Sequence, residues 1–365
     1  MMNINKWTMA LAAAGVVSLS SVAQAQEAAA GADVVAASVE LSGYVSSSYT
    51  MSSGRGATAN TFRGTEGNSD KFSLDVVSLS LSSAKGEGEW ASGYNFTMWI
   101  GDAASDIGTS SASDNTLEVM EANIELTLPV GTGLNLTVGQ MGTVVGYETY
   151  SYGNDRNGNP INAFHNRGWA FAAEPTHHTG ILAEYQLNDN IGVKAGVAND
   201  TTNAVTNDNS GDDSTVGYLL GATYEGGFMA EQGFDVSLGA VLDMGADGAE
   251  QDTYYYQVGL PIEGLVPNLS ADVAATLVDH DNDNDTEIYQ VYLAYSLSDN
   301  TTINARYEFG DDDITASKAG IESYAIGVTH QLWENVTSRV EYMTSDWEGA
   351  TNDDEALTIS LIYSF

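Results

Sequence analysis

The chain has 365 residues with 50 acidic and 11 basic side chains, five prolines, no cysteine and a formal net charge of −39. Such acidity repels phosphate backbones, which excludes nucleic acid as a partner, and the lack of cysteine excludes a disulfide framework. No stretch after residue 25 approaches the ~18 continuous apolar residues of a membrane helix, so the chain is either a soluble exported protein or one that crosses a membrane as strands.

The first element is a leader. Met1 to Lys6 is short with one positive charge, Trp7 to Leu19 is mostly apolar, and Ala23-Gln24-Ala25 is a small-x-small cleavage site. This predicts a signal peptide over 1–25, a short linker over 26–38 and a barrel over 39–365. All the acids follow Ala25, so the mature charge is about −40.

Runs of alternating apolar and polar residues then recur along the chain, the pattern of strands with two unlike faces. They predict strands over 39–49, 72–82, 91–100, 117–128, 134–141, 179–187, 191–198 and 215–224. Eight more follow over 234–244, 253–260, 269–277, 287–296, 302–309, 321–331, 336–345 and 356–365. Connections after even-numbered strands are short ("NDN", "LSDN", "WEN"), whereas those after odd-numbered strands are mostly longer and acidic ("NDTTNAVTNDNSGDDS", "GDDDITASKAG"). That rhythm predicts an all-β fold: a closed antiparallel transmembrane β-barrel of about sixteen strands, with fourteen and eighteen as alternatives. Its short turns are periplasmic and its long acidic loops lie outside.

Face assignment follows from the same alternation. Tyr94, Phe96, Met98 and Ile100 alternate with Asn95, Thr97 and Trp99, and Ala122, Ile124, Leu126 and Leu128 with Glu121, Asn123, Glu125 and Thr127. Sixteen strands enclose a lumen too wide for side chains to fill, so the polar face is expected inward. Glu121, Glu125, Asn304 and Glu308 are predicted to face the lumen. Tyrosines near run ends, including Tyr44, Tyr49, Tyr185, Tyr224, Tyr295, Tyr342 and Tyr363, are expected in the aromatic girdles.

The chain stops on "LTISLIYSF", with Tyr363 and Phe365 as its last aromatics. This resembles the assembly signal of outer-membrane barrels, with Ser360 where glycine is common. It implies the barrel-assembly machinery and outer-membrane lipid as partners and a last strand that pairs with the first.

The longest connection, about 142–178, is flanked by "VGQMGTVVGYETYSYG" and "FAAEPTHHTGILAEY". A glycine-rich strand leading into Gly146-Tyr147-Glu148, then Pro175 and His178-Thr179-Gly180, resembles the putative β-barrel porin-2 family over roughly 134–200. The resemblance implies an outer-membrane pore for small hydrophilic solutes. General sixteen-stranded porins carry a third loop that folds inward, and they suggest a homotrimer. If this loop does so, Glu148, Asp155, Arg156, His165, Arg167 and Glu174 are constriction candidates, with Arg306 and Arg339 on the wall. Equally, these charges could solvate a surface loop.

Metal and enzyme chemistry find little support. His177 and His178 are adjacent in an extended segment and point apart. Asp279, Asp281, Asp283 and Asp285 alternate like part of a calcium loop but lack its turn glycine, so they offer weak divalent-cation binding at most. No nucleophile elbow or phosphate-cradling motif is present, and no cofactor is expected. The expected function is a porin that admits small hydrophilic solutes by passive diffusion, with a cation preference. The alternative is a non-conducting structural or adhesive barrel that presents acidic loops.

Overall fold

The computed structural model describes residues 39–53, 70–86, 90–106, 117–153, 161–199, 216–227, 233–244, 250–260, 262, 265–281, 285–312, 319–348 and 354–365. The leader and linker predicted over 1–38 lie outside them, as do the candidates Asp155, Arg156 and Asp283.

Sixteen strands account for most of the described chain. They are β1 (Val39–Ser53), β2 (Lys71–Ser83), β3 (Ala91–Ile100), β4 (Leu117–Leu128), β5 (Leu134–Gly142), β6 (His177–Asn188), β7 (Ile191–Asn199) and β8 (Val216–Gly227). There follow β9 (Gly233–Met244), β10 (Gln251–Leu260), β11 (Leu269–His280), β12 (Thr286–Ser298), β13 (Thr301–Asp312), β14 (Ala319–Trp333), β15 (Val336–Trp347) and β16 (Asp354–Ser364). Each pairs with its sequence neighbours, and β16 returns to β1, closing the barrel. Closure runs from Tyr44 opposite Ser364 to Ser53 opposite Glu355. Gly43 and Phe365 exchange both backbone hydrogen bonds, each 2.9 Å. A closed ladder leaves no open edge, the condition for strands to cross lipid.

The two faces separate as alternation requires. Ile359, Leu361 and Tyr363 are exposed on the outside of β16, while Thr358, Ser360 and Ile362 between them are buried inside. Ile124 and Ile326 likewise face outward. Tyr44 departs from expectation. It shares parity with the inward Ser46 and Ser48, is buried, and donates no girdle; its hydroxyl instead accepts from the backbone N–H of Tyr152 at 3.1 Å.

The lumen is also more apolar than an inward polar face predicts. Val278, Ile288, Ile321, Ala325, Met343 and Ala356 form one buried cluster with Phe164, Trp169, Ala170 and Ala173 of the 142–178 segment. A second joins Tyr152 and Phe171 to Tyr44, Val76, Trp99, Met120 and Ile362. Inward positions can be apolar here because the third loop covers them and removes both surfaces from water.

Candidate functional site: the lumen and its third loop

The connection between β5 and β6 folds into the barrel and is fastened to its wall. Its local shape follows from a few residues. Gly146 has φ +98°, a left-handed conformation suited to glycine, and a Cβ there would strike the Glu174 carboxylate. A Cβ on Gly168 would strike the carboxylate of Glu308 on β13. These two glycines let the loop backbone approach its anchors. Between them and β6 lies a single helical turn, Trp169–Ala173, packed inward.

Arg167 holds the loop to itself. It is 1 % exposed, and its guanidinium donates to five backbone carbonyls. These are Thr149 (2.7 Å), Phe164 (3.3 Å), His165 (2.7 Å), Tyr150 (3.0 Å) and Ser151 (2.8 Å). Its face lies 4.5 Å from the centre of the Tyr152 ring. The planar fork suits this task, because it donates in several fixed directions at once.

Carboxylates hold the loop to the wall. Glu341 on β15 accepts from the backbone N–H groups of His165 (2.6 Å) and Asn166 (3.2 Å) and from the Asn166 amide (2.6 Å). Glu308 accepts from the N–H groups of Trp169 (3.1 Å) and Ala170 (3.2 Å). Glu148, within the loop, accepts from Gly168 N–H at 2.6 Å and from Arg306 Nη1 at 2.6 Å. Arg306 Nε also lies 3.2 Å from Glu308, so one wall cation bridges a loop carboxylate and a wall carboxylate, all three buried. Removing one member of such a set leaves uncompensated buried charge, which is costly.

The remaining contacts run around the barrel. Tyr147 stacks on Tyr292 of β12 at 3.8 Å between centroids and donates to Asp272 of β11 at 3.1 Å. Tyr150 donates to Glu121 of β4 at 2.6 Å. Asn304 of β13 reaches the Ala163 carbonyl at 3.5 Å. Arg339 donates to the Tyr152 carbonyl at 3.4 Å. On β2, Asp75 accepts from Ser46 (2.9 Å) and Ser48 (2.6 Å) and lies 3.9 Å from His165. Burial, then Arg167 and Arg339, hold the His165 imidazole well below its ordinary value of 6.5, so it is neutral. Glu174 receives the Thr276 hydroxyl, and burial together with Glu148 and Glu308 raises its carboxyl to about 8. Burial and Glu121 likewise push the Tyr150 phenol up.

The structure thus brings Glu148, His165, Arg167, Glu174, Arg306 and Arg339 together, all buried against loop or wall. Of the lumen-facing candidates, Glu121, Asn304 and Glu308 serve the loop. Glu125 stands apart, 4.0 Å from Lys85. Sequence reasoning missed Glu341, although it shares its strand face with Arg339 two residues earlier. It also missed Asp75 and Asp272. Strand parity alone put all three on the inward face. His177 and His178 open β6 as buried residues bonded to Thr176 (3.1 Å) and Thr143 (2.9 Å). Among the described residues no group of His, Cys, Asp or Glu is arranged to hold a metal, and Asp279, Asp281 and Asp285 sit at the outer ends of β11 and β12.

Two parts of the described lumen stay open, and one, of about 570 Å³, lies between loop residues Tyr150 and Ser151 and the inward Tyr44, Ser78, Ser80 and Thr97 of β1–β3. Val144 and Val145 touch Leu219, Val241 and Tyr255. Nearer the short-turn side, a cavity of about 350 Å³ separates the loop from β7–β10.

A closed sixteen-stranded barrel with its third loop seated inside is the architecture that decides the comparison with known proteins. Residues 38–365 match the family model described as putative beta-barrel porin-2, OmpL-like. The chain belongs to that family. Solved structures agree on the fold. An anion-selective porin from Comamonas acidovorans has a TM-score of 0.59 at 12 % identity, covering 90 % of this chain and all of that one. The trimer form of OmpT, an outer membrane protein from Vibrio cholerae, gives 0.57 at 14 %, covering 90 % of this chain and 100 % of its own. A triple mutant of the Rhodopseudomonas blastica porin gives 0.55 at 13 %, again covering 90 % and 100 %. Comparison with curated proteins finds no match. This porin-family barrel resides in the bacterial outer membrane.

Proposed function

We propose that the barrel passes small hydrophilic solutes across the outer membrane by passive diffusion, with a cation preference set at the mouths of its lumen. The observation that carries this reading is the loop's seat inside the barrel: it is fastened to β4, β11–β16, β1 and β2, while cavities remain beside it, one on the β7–β10 side and one against β1–β3. A loop held this way narrows the lumen to the spaces left beside it and sets the size limit. Glu225 and Asp235 face each other across β8 and β9 on the inward side, beside the short turn, with Asp272 two strands away. Such a group raises local cation concentration at a pore mouth.

In this reading the loop charges act chiefly as anchors. Glu148 shares Arg306 with Glu308, and the wall arginines lie under the loop, where they do not oppose cations in the passage. Tyr363 and Phe365 form the assembly signal, residues 1–25 direct export, and the trimer form recorded for the Vibrio cholerae relative supports a homotrimer. Single-channel recording in planar bilayers tests the function. Stable conductance steps are expected, while a barrel that inserts and gives none would be the structural or adhesive alternative.

A further inference from the structure

The larger of the two lumenal cavities, about 570 Å³, ends blindly. On its wall lie Ser42 and Tyr44 of β1, Ser78, Ser80 and Ser82 of β2, and Ser364 of β16. Further toward the long-loop end, the inward residues of all three strands are buried: Ser46 and Ser48 on β1, Asp75 and Val76 on β2, and Ile362 and Ser360 on β16. Asp75 accepts from both β1 serines, and Val76 and Ile362 join the buried cluster around Tyr152 and Phe171. On β3 the roof is Trp99, and the helical turn Asp102–Asp106 beyond it adds Ala103 and Ala104 to the same cluster. Among the described residues the space is therefore shut toward the long loops. It opens toward the short turns, where Glu40, Glu334 and Asn335 stand exposed at its rim. With the cavity beside β7–β10 it shares only Tyr150, whose hydroxyl is tied to Glu121.

We infer that this blind cavity is a binding site, reached from the periplasmic side and lying off the passage, for a small hydroxyl-rich solute with one ammonium group, the class of the amino sugars. The assignment goes beyond the porin reading and does not require the barrel to conduct. Ser42, Ser80, Ser82 and Ser151 are partly exposed on the wall, and Ser80 and Thr97 share a hydrogen bond of 2.9 Å. Hydroxyls donate and accept alike, so they can replace the water that a polyol gives up. Ser364 Oγ and Trp99 Nε1 are buried in the same wall with no hydrogen-bond partner, so the fold supplies no acceptor for either. The described lining contains no lysine, arginine or histidine, so an anion would lose hydration there without compensation. Glu40 and Glu334 favour an ammonium held at the rim. Exposed ion pairs contribute modestly, so the rim ranks ligands by charge while the wall hydroxyls hold them. The volume falls in the small-molecule range of roughly 300–1,000 Å³.

The test measures binding of labelled glucosamine, glucose and gluconate to the full mature chain in lipid nanodiscs by equilibrium dialysis, with single-channel conductance recorded in planar bilayers. Glucosamine should bind several-fold more tightly than glucose, and gluconate most weakly. Glu40→Gln combined with Glu334→Gln should bring glucosamine down to the level of glucose. Ser80→Phe, which fills the blind cavity, should abolish binding of both sugars and leave conductance unchanged. Ser237→Phe, in the cavity beside β7–β10, should lower conductance and leave binding intact. Should Ser80→Phe lose heat-modifiable migration, Ser82→Gln repeats the test with a smaller intrusion. Equal binding of the three solutes, or no saturable binding of glucosamine, would overturn the inference. So would binding that survives the filled cavity or is lost with Ser237→Phe, and so would a conductance loss in Ser80→Phe as large as in Ser237→Phe. A wild type that binds glucosamine and never conducts would refute the porin reading and leave this inference standing.

Discussion

Replacing Arg167 with methionine tests the loop's architecture most directly. The wild-type guanidinium satisfies five carbonyls drawn from two separate stretches, Thr149–Ser151 and Phe164–His165. It also packs on Tyr152 and Phe171. Hydrogen bonds from a charged donor contribute about 1.5–3 kcal/mol each, but bonds sharing one side chain are not additive. A net cost of about 3–5 kcal/mol to loop seating is therefore the scale, since larger single-residue effects are exceptional. That moves the ratio of seated to unseated loop by about a hundredfold or more. The barrel ladder is untouched, so heat-modifiable migration should persist while open-channel noise and mean conductance rise. Protease should gain access to residues 143–176. Arg167→Lys keeps the charge without the fork and should fall between. Wild-type conductance, noise and protection in the methionine variant would refute the view that Arg167 holds the loop together.

Other consequences can be checked separately. Ile359→Arg, on the exposed outer face, should destabilise the barrel by ~2–4 kcal/mol if near the bilayer midplane, whereas lumen-side Thr127→Arg should alter conductance with little loss of stability, read by urea-induced unfolding in vesicles. Deleting Phe365 removes both backbone bonds to Gly43 and should lower the yield of heat-modifiable barrel in outer membranes. Because the seated loop holds a proton on Glu174 that a free loop releases, seating should weaken as pH rises from about 4.5 to about 8, and Glu174→Gln should abolish that slope in protease-access titrations. His165, kept neutral in the seated loop, gives the opposite trend, with seating lost as pH falls below 6.5. Reversal potentials under a KCl gradient should show cation selectivity at low salt that fades at high salt; anion selectivity at low salt would contradict the proposed mouth electrostatics.

The strands were legible because each face of a half-lipid, half-lumen strand has its own chemistry, and a two-residue period survives small errors in boundary. The predicted 336–345 and 356–365 became β15 and β16 with shifts of only a few residues. The loop's seat was not legible, because its partners are remote in sequence. Glu148 and Arg306 are 158 positions apart, and His165 and Glu341 are 176 apart. Nothing local marks such a pair. Tyr44 was misplaced for a different reason: its position near a run end suggested a girdle, while its parity with Ser46 already placed it inside.

The apolar wall residues and the buried charges have one common cause. A porin strand covered by lipid on one side and water on the other alternates simply. Where a loop lies against the inner side, a third environment replaces water, and Ile288, Ile321 and Met343 become core residues in the middle of a pore wall. The same covering makes each loop N–H a donor that must be satisfied without solvent. Wall glutamates supply those acceptors, and their charge then requires the buried Arg306. Inward Arg306, Glu308 and Glu341 thus mark where the loop is fastened, whereas inward Glu125 and Glu225 serve other neighbours. On that reasoning, moving a carboxylate from the covered side to the open one, as in Glu308→Gln combined with Thr223→Asp, should loosen the loop and charge the passage together. Conductance noise and cation selectivity should then rise in the same variant, while either single substitution should raise only one of the two.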